Sequence, residues 1–237
     1  MSAVAVIPAF NEEASLGGVL AEIAEIDGLV PVVVDDGSSD GTAEVARNAG
    51  VACVQLPFNL GVGGAVRTGL RWALDHDADT VVIVDADGQH DPADVAALLA
   101  AIDAGAGLAI GSRFAAEAGD YAIGGTRRRA MRILNRLVRT TTGFAATDAT
   151  SGFRAMSRPV LEHLAREYPV EYLADTVEVI ILVRRIGHEV VEVPVSMRER
   201  LGGVPSARRF RLVFNFLRLL VGIAGGVLVG RRDGGRR

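Results

Sequence analysis

Residues 80–92 read Thr80-Val81-Val82-Ile83-Val84-Asp85-Ala86-Asp87-Gly88-Gln89-His90-Asp91-Pro92. Five β-branched residues followed by glycine and proline predict a short buried strand that ends in a loop. Two carboxylates one residue apart on that loop, Asp85 and Asp87, repel each other and call for a cation. Oxygen ligands so spaced suit Mg²⁺ or Mn²⁺, which take one or two protein carboxylates and complete their shell with substrate phosphates. The stretch therefore predicts a metal–diphosphate site at the C-terminal end of a sheet strand. The plain alternative is a solvated acidic turn that caps the next helix.

Two earlier runs end in the same way. Ala3-Val4-Ala5-Val6-Ile7 leads into Pro8-Ala9-Phe10-Asn11-Glu12-Glu13, and Pro31-Val32-Val33-Val34 into Asp35-Asp36-Gly37-Ser38-Ser39-Asp40-Gly41-Thr42. Open α/β sheets bind ligands outside the carboxyl ends of their strands. Strands are expected near 3–7, 31–35, 51–56, 80–85, 107–111 and 189–193. Helical patterns fill 12–26, 41–49, 62–76, 92–104, 126–141, 158–166 and 174–187. Ser39 or Asp40, and Asp91 before Pro92, are helix starts of the cap-then-proline kind. This alternation predicts an α/β fold with a doubly wound, mostly parallel sheet and helices on both faces. Residues 143–157 and 194–206 are expected to be loops over the active face.

The segments VIPAFNEE, VVDDGSSDGT, NLGVGGAVRTGL, DADGQHDP, GSRF and DATSGFRA occur in this order. The chain so read resembles a family 2 glycosyltransferase of the GT-A fold, nearest the dolichyl- or polyprenyl-phosphate mannosyltransferase (or glucosyltransferase) branch, over residues 1–206. The resemblance implies a nucleotide-sugar donor of GDP-mannose or UDP-glucose type and a polyprenyl-phosphate acceptor. Pro8, Ala9, Asn11, Glu12 and Asp36 would hold the nucleoside, with Asp35 an alternative orienter of the loop. Asp85, Ala86 and Asp87 would face the donor, with Asp85, Asp87 and Gln89 as metal ligands and His90 as scaffolding. Arg113 would reach a phosphate of donor or acceptor. Asp148 stands where relatives carry an acid near the acceptor, and Arg154 would pair with it or with phosphate. Arg200 matches an arginine that closes over the donor diphosphate. The relatives' next cation is a lysine, which this chain lacks, and Arg208 is the available substitute.

Other features are open to two readings. Gly61-Val62-Gly63-Gly64 opens a helix but does not follow the first strand, so it reads as close packing and not as a dinucleotide loop. Arg67 either faces the diphosphate or is solvated. Arg128, Arg132 and Arg136 align on one helix face, either as a solvated or lipid-facing stripe or, as the resemblance implies, around the acceptor phosphate.

Composition narrows the partners. All 25 basic residues are arginine, so any phosphate-binding cation here is a guanidinium. The single Cys53 excludes an internal disulfide and fits a reducing location. Residues 207–237 hold eight arginines and one aspartate, a net +7, which leaves −11 on the rest of a chain of net −4. A basic tail on an acidic body points to anionic lipid. The body lacks the basic, aromatic-interleaved face of a nucleic-acid binder. Within the tail, residues 213–230 are apolar except Asn215 and Arg218, and Gly222, Gly226 and Gly230 recur every fourth residue. That stripe suits helix packing in lipid and implies a homo-oligomer or a small membrane partner. The segment reads as a short spanning helix, an interfacial helix or a helix packed on the body. The chain begins directly with a strand, and no signal peptide is expected. The expected location is the cytoplasmic face of the cell membrane, peripheral or single-span, with a catalytic domain at 1–206 and a membrane-associated tail at 207–237.

Three rival readings remain. A transferase acting on a sugar hydroxyl or another lipid would need an activating carboxylate. A nucleotidyltransferase would carry a Gly-rich basic loop straight after the first strand, where this chain has Pro8–Glu13. A non-catalytic membrane-tethered nucleotide-binding scaffold would not need the carboxylates at 35, 36, 85 and 87.

Overall fold

The computed structural model describes residues 2–115, 125–170 and 174–198. Seven strands form one sheet in the order β3-β2-β1-β4-β6-β5-β7. They are β1 (Ala3–Ala9), β2 (Leu29–Asp35), β3 (Ala52–Gln55), β4 (Thr80–Ile83), β5 (Leu108–Ser112), β6 (Arg154–Ser157) and β7 (Val190–Pro194). The helices between them are α1 (Glu13–Ala24), α2 (Thr42–Asn48), α3 (Val62–Asp75), α4 (Val95–Asp103), α5 (Gly125–Thr142), α6 (Arg158–Glu167) and α7 (Ala174–Arg185).

Strand alternation divides the core into two layers. Val4, Val6, Val81 and Ile83 point to the side covered by α3, α5, α6 and α7, through Leu70, Val138, Leu161 and Ile180. Ala5, Ile7, Val82 and Val84 point to the side covered by α1, α2 and α4, through Leu16, Ala46 and Leu98. The uniformly apolar runs are thus strands buried on both faces, as a sheet sandwiched between helices requires. Parallel pairing of β1 with β2 and β4 places Ala9 beside Asp35 and brings three strand ends to one edge of the sheet.

One element departs from the sequence reading. Residues 143–157 were expected to be loop, yet Arg154–Ser157 is a strand, inserted between β4 and β5 and antiparallel to both. Four residues opening on an arginine carry no apolar alternation, and only pairing with two buried neighbours makes them a strand. The expected helix at 92–104 is a 3₁₀ turn, Pro92–Asp94, followed by α4, and Asp91 caps it by accepting from the Ala93 N–H at 2.9 Å. The tail at 207–237, with its glycine stripe, lies outside the described residues, as do Arg200 and Arg208. Among the described residues no helix is long and apolar enough to cross a membrane.

Small residues let α3 lie close on the sheet. A Cβ on Gly69 would press into the Val6 side chain and meet Val34 Cγ2 at 3.2 Å. Overpacking of this kind costs about 1–3 kcal/mol. Gly69→Ala should therefore lower stability by about 2 kcal/mol in urea denaturation despite the better helix propensity of alanine. An unchanged midpoint would mean that α3 sits farther from β1 than described.

Candidate active site

Three loops meet beyond β1, β2 and β4, and backbone donors hold them. Asn11 adopts φ 56°, a conformation that asparagine tolerates better than most residues. Its N–H donates to Ser38 Oγ at 2.9 Å and its Oδ1 accepts from the Ser39 N–H at 2.8 Å. Asp36 N–H donates to the Ala9 carbonyl at 2.8 Å. Glu12, buried at the start of α1, accepts from Ser15 Oγ at 2.7 Å, and its own N–H donates to Thr42 Oγ1 at 2.9 Å. The loop after β1 is thus fastened to the loop after β2 through the residues expected to hold a nucleoside. Pro8 is half-buried and Ala9 buried beneath them.

The aspartates of the second loop organise their surroundings. Asp35 accepts from the Ser38 N–H at 2.9 Å and from Gln55 Nε2 at 3.2 Å. Asp36 accepts from the Leu60 N–H at 2.7 Å and the Gly61 N–H at 2.8 Å, one on each oxygen. This fixes the turn into α3, where Gly61 takes φ 85°. Burial raises the Asp36 pKa, the two N–H bonds oppose the rise, and the neighbouring Asp35 charge adds to it. Asp40 is partly desolvated, but the Thr42 hydroxyl at 2.5 Å and main-chain N–H bonds hold its carboxyl below the ordinary range.

Asp85 and Asp87 differ in exposure. The Asp85 side chain is 40% exposed, and among the described residues it meets only the His90 imidazole, at 3.5 Å. Asp87 is buried and accepts from the Gln89 N–H at 3.0 Å. Ala86 between them is buried. His90 is buried. Its Nδ1 accepts from the Asp85 N–H at 3.2 Å, so Nε2 carries the proton that faces the carboxylate, and the ring stacks on Phe153 at 4.6 Å. Gly152 backs the site, where a Cβ would lie 3.6 Å from the Asp85 oxygens. Among the described residues no three His, Cys, Asp or Glu side chains gather into a complete cage. An open carboxylate, a second one beside it and the half-buried Gln89 fit a hard cation that draws its other ligands from phosphate and water.

Arg198 links this loop to the segment before Arg200. Its N–H donates to the Gln89 carbonyl at 2.9 Å, and its guanidinium reaches Asp91 at 2.8 Å and Glu22 at 2.6 Å.

On the far side of the sheet mouth, two sequence-predicted residues meet each other. Asp148, fully buried, accepts from Arg113 Nε at 2.6 Å and Nη2 at 2.8 Å, a two-point ion pair. Thr150 Oγ1 adds a bond at 3.1 Å. The Arg113 fork, expected to reach phosphate, closes on Asp148. Arg154 needs a larger correction. It is 1% exposed, and its guanidinium donates to the carbonyls of Ser151 at 2.7 Å, Thr176 at 2.9 Å and Ala149 at 3.2 Å. It braces the 149–151 loop from beneath and does not face an acceptor phosphate. Arg132 and Arg136 on α5 are exposed and have no ion-pair partner among the described residues. The side chain of Arg128 lies outside the described residues. Arg67 donates to the Arg166 carbonyl at the end of α6.

Sequence reasoning missed Glu192 and Asn135, which hold the 147–149 loop. All but one of their bonds, the Thr147 hydroxyl to Glu192, are to main-chain atoms, which leave no mark in the residue pattern.

Comparison with known proteins then bears on the chemistry. The family model for glycosyl transferase family 2 matches residues 4–165. The polyprenol monophosphomannose synthase of Mycolicibacterium smegmatis is 34% identical over 215 residues, covering 84% of this chain and 78% of that protein. The undecaprenyl-phosphate mannosyltransferase of Micrococcus luteus is 32% identical over 211 residues, covering 84% of this chain and 85% of that protein. Glucosyl-3-phosphoglycerate synthase from Mycobacterium tuberculosis, solved with Mg²⁺ and uridine diphosphate, is similar with a TM-score of 0.65 at 26% identity, covering 84% of this chain and 72% of that one. The sheet is GT-A like.

The raised pKa of Asp36 makes a prediction about stability. A native state that binds a proton more tightly than the unfolded chain loses stability as pH rises from the ordinary value of 3.8 through the raised one. Asp36→Asn removes that slope. The Tm of the variant minus that of the wild type should climb with pH across this window and level off above it. A flat or falling difference would contradict the burial of Asp36.

Proposed function

We propose that this chain, which belongs to glycosyl transferase family 2 and is a glycosyltransferase, moves a sugar from a nucleotide-sugar donor of GDP-mannose or UDP-glucose type onto a polyprenyl phosphate, inverting the anomeric carbon. The names of its relatives supply the acceptor class. The observation that carries the reading is the engagement of Asp148, the acid on the acceptor side. Both of its oxygens already accept bonds, and to take a proton it would have to break the Arg113 pair. A hydroxyl acceptor needs a base at that place, whereas a phosphate monoester, with a second pKa of about 6, is largely ionised at neutral pH and needs none.

The loops after β1 and β2 hold the nucleoside against Asn11, Glu12 and Asp36. Asp85, Asp87 and Gln89 are the oxygen donors that would hold Mg²⁺ or Mn²⁺. Bound there, the ion neutralises charge on the departing diphosphate. Arg200, which matches the relatives' diphosphate arginine, adds to that neutralisation. Arg132, with Arg128 and Arg136, draws the acceptor phosphate to the opposite side. The Arg113–Asp148 pair orients the groups between. The tail at 207–237 holds the protein on the cytoplasmic face of the membrane, near its lipid substrate.

Incubating membranes with a panel of labelled nucleotide sugars should give a labelled polyprenyl-phosphate sugar identifiable by mass spectrometry. A product linked through a sugar hydroxyl would overturn the acceptor assignment. Asp87→Ala should fold normally and lose about 10²–10³-fold of metal-dependent transfer; near-normal turnover would remove the metal from the mechanism. Deleting residues 207–237 should release the protein from membranes, and a truncated chain that still sediments with them would reassign the anchor.

A further inference from the structure

The loop bearing Asp148 is gripped from two sides, by one residue of β7 and one of α5. From β7, Glu192 receives four hydrogen bonds from two consecutive residues. The Thr147 N–H reaches its two oxygens at 2.8 and 2.9 Å, Thr147 Oγ1 donates at 2.7 Å, and the Asp148 N–H donates at 2.8 Å. From α5, Asn135 Nδ2 donates to the Thr147 carbonyl at 2.7 Å, and Asn135 Oδ1 accepts from the Ala149 N–H at 3.2 Å. Thr147 Oγ1 also lies 2.7 Å from Ser112 Oγ, one residue before Arg113 on the strand beside β7. The main-chain donors of residues 147, 148 and 149 are therefore all taken by these two side chains. A loop gripped this tightly has one position relative to β5, and that position puts the Asp148 carboxylate on the Arg113 fork.

Asn135 has a second consequence. It lies on α5 between Arg132 and Arg136, so its two bonds set where those exposed guanidiniums stand relative to Asp148. A carboxylate is suited to the Glu192 place because every group facing it is a donor. An amide there would turn its NH₂ against a main-chain N–H. We infer that Glu192 and Asn135 are positioning residues for the acceptor side of the reaction: they fix the 147–149 loop so that the Arg113–Asp148 pair and the α5 arginines present one preformed surface to the acceptor phosphate. This rests on the acceptor reading given under Proposed function.

The test uses the full-length protein in Glu192→Gln and Asn135→Ala forms. Alanine at 135 removes both bonds while favouring the helix, so folding is retained in at least one variant. Hydrogen exchange across 146–149 should speed up about ten-fold or more in each variant, with exchange in β5 unchanged. The acceptor KM should rise about ten-fold and the donor KM should stay within about two-fold. A residue that only supported the fold would lower Tm without separating the two KM values. Combining Glu192→Gln with Asp148→Asn should cost no more than Asp148→Asn alone, because Glu192 acts through the loop that carries Asp148.

Unchanged exchange at 146–149, an unchanged acceptor KM, or losses that multiply in the double variant would each overturn the inference. If the wild type transfers to no polyprenyl phosphate, the acceptor reading falls by itself. The grip of Glu192 and Asn135 on the loop is then still decided by the exchange measurement, where unaltered protection overturns it.

Discussion

Negative charge at the mouth of the sheet is the constraint that the surrounding loops are built to meet. Because β1, β2 and β4 run parallel as neighbours, their ends bring Glu12, Asp35, Asp36 and Asp85 to one edge. Gathered carboxylates persist only where donors or a cation offset them. Main-chain N–H groups supply much of that offset, from Ser38 to Asp35, from Leu60 and Gly61 to Asp36, and from Gln89 to Asp87. Asp85 is treated differently, half open to solvent beside one imidazole. Three aspartates thus shape the loops and a fourth faces outward, the division expected of a site whose last charge is met by a ligand.

The antiparallel strand β6 lies between β4, which leads to Asp85, and β5, which leads to Arg113. Its first residue, Arg154, buries a guanidinium under the loop that follows Asp148 and satisfies it with carbonyl oxygens. Three sequence positions later than the serine it grips, it turns the SGF segment into a rigid floor, with Gly152 beneath Asp85 and Phe153 beneath His90. The same short stretch therefore supports the Asp85–His90 loop from below and the 147–149 loop from the side. Neither could shift without disturbing the other.

The parts of this architecture written in local pattern were legible before any coordinates. Continuous apolar runs marked β1, β2 and β4, and the acidic turns after them marked one edge of the sheet. Asp91 before Pro92 marked a helix start because a side-chain cap and a fixed φ act within three residues. What was not legible depends on contacts distant in sequence. β6 has no periodicity of its own and is defined by its two neighbours. Arg113 and Asp148 were both singled out, but their pairing across 35 residues was not, because a motif records residue types and not which of them meet. Arg154 was read as a partner of Asp148 or of phosphate for a related reason: an arginine at the end of a loop motif looks exposed, and only its place at the start of a central strand buries it against main-chain carbonyls. Glu192 and Asn135 bind main-chain atoms, which every residue has.

The engagement of Asp148 also limits what the acceptor can be. Taking the charge from one partner of a buried two-point ion pair leaves the other uncompensated, and breaking such a pair costs about 3–5 kcal/mol. A mechanism that asked Asp148 to collect a proton would add that cost to its barrier on every turnover. A nucleophile that arrives already ionised avoids it. The acidic body of the chain would repel such an anion, and the exposed arginines of α5 beside the 147–149 loop are placed to reverse that repulsion locally. A fixed ion pair and exposed guanidiniums on adjoining elements suit transfer to a phosphate, and they give a neutral hydroxyl no help in losing its proton.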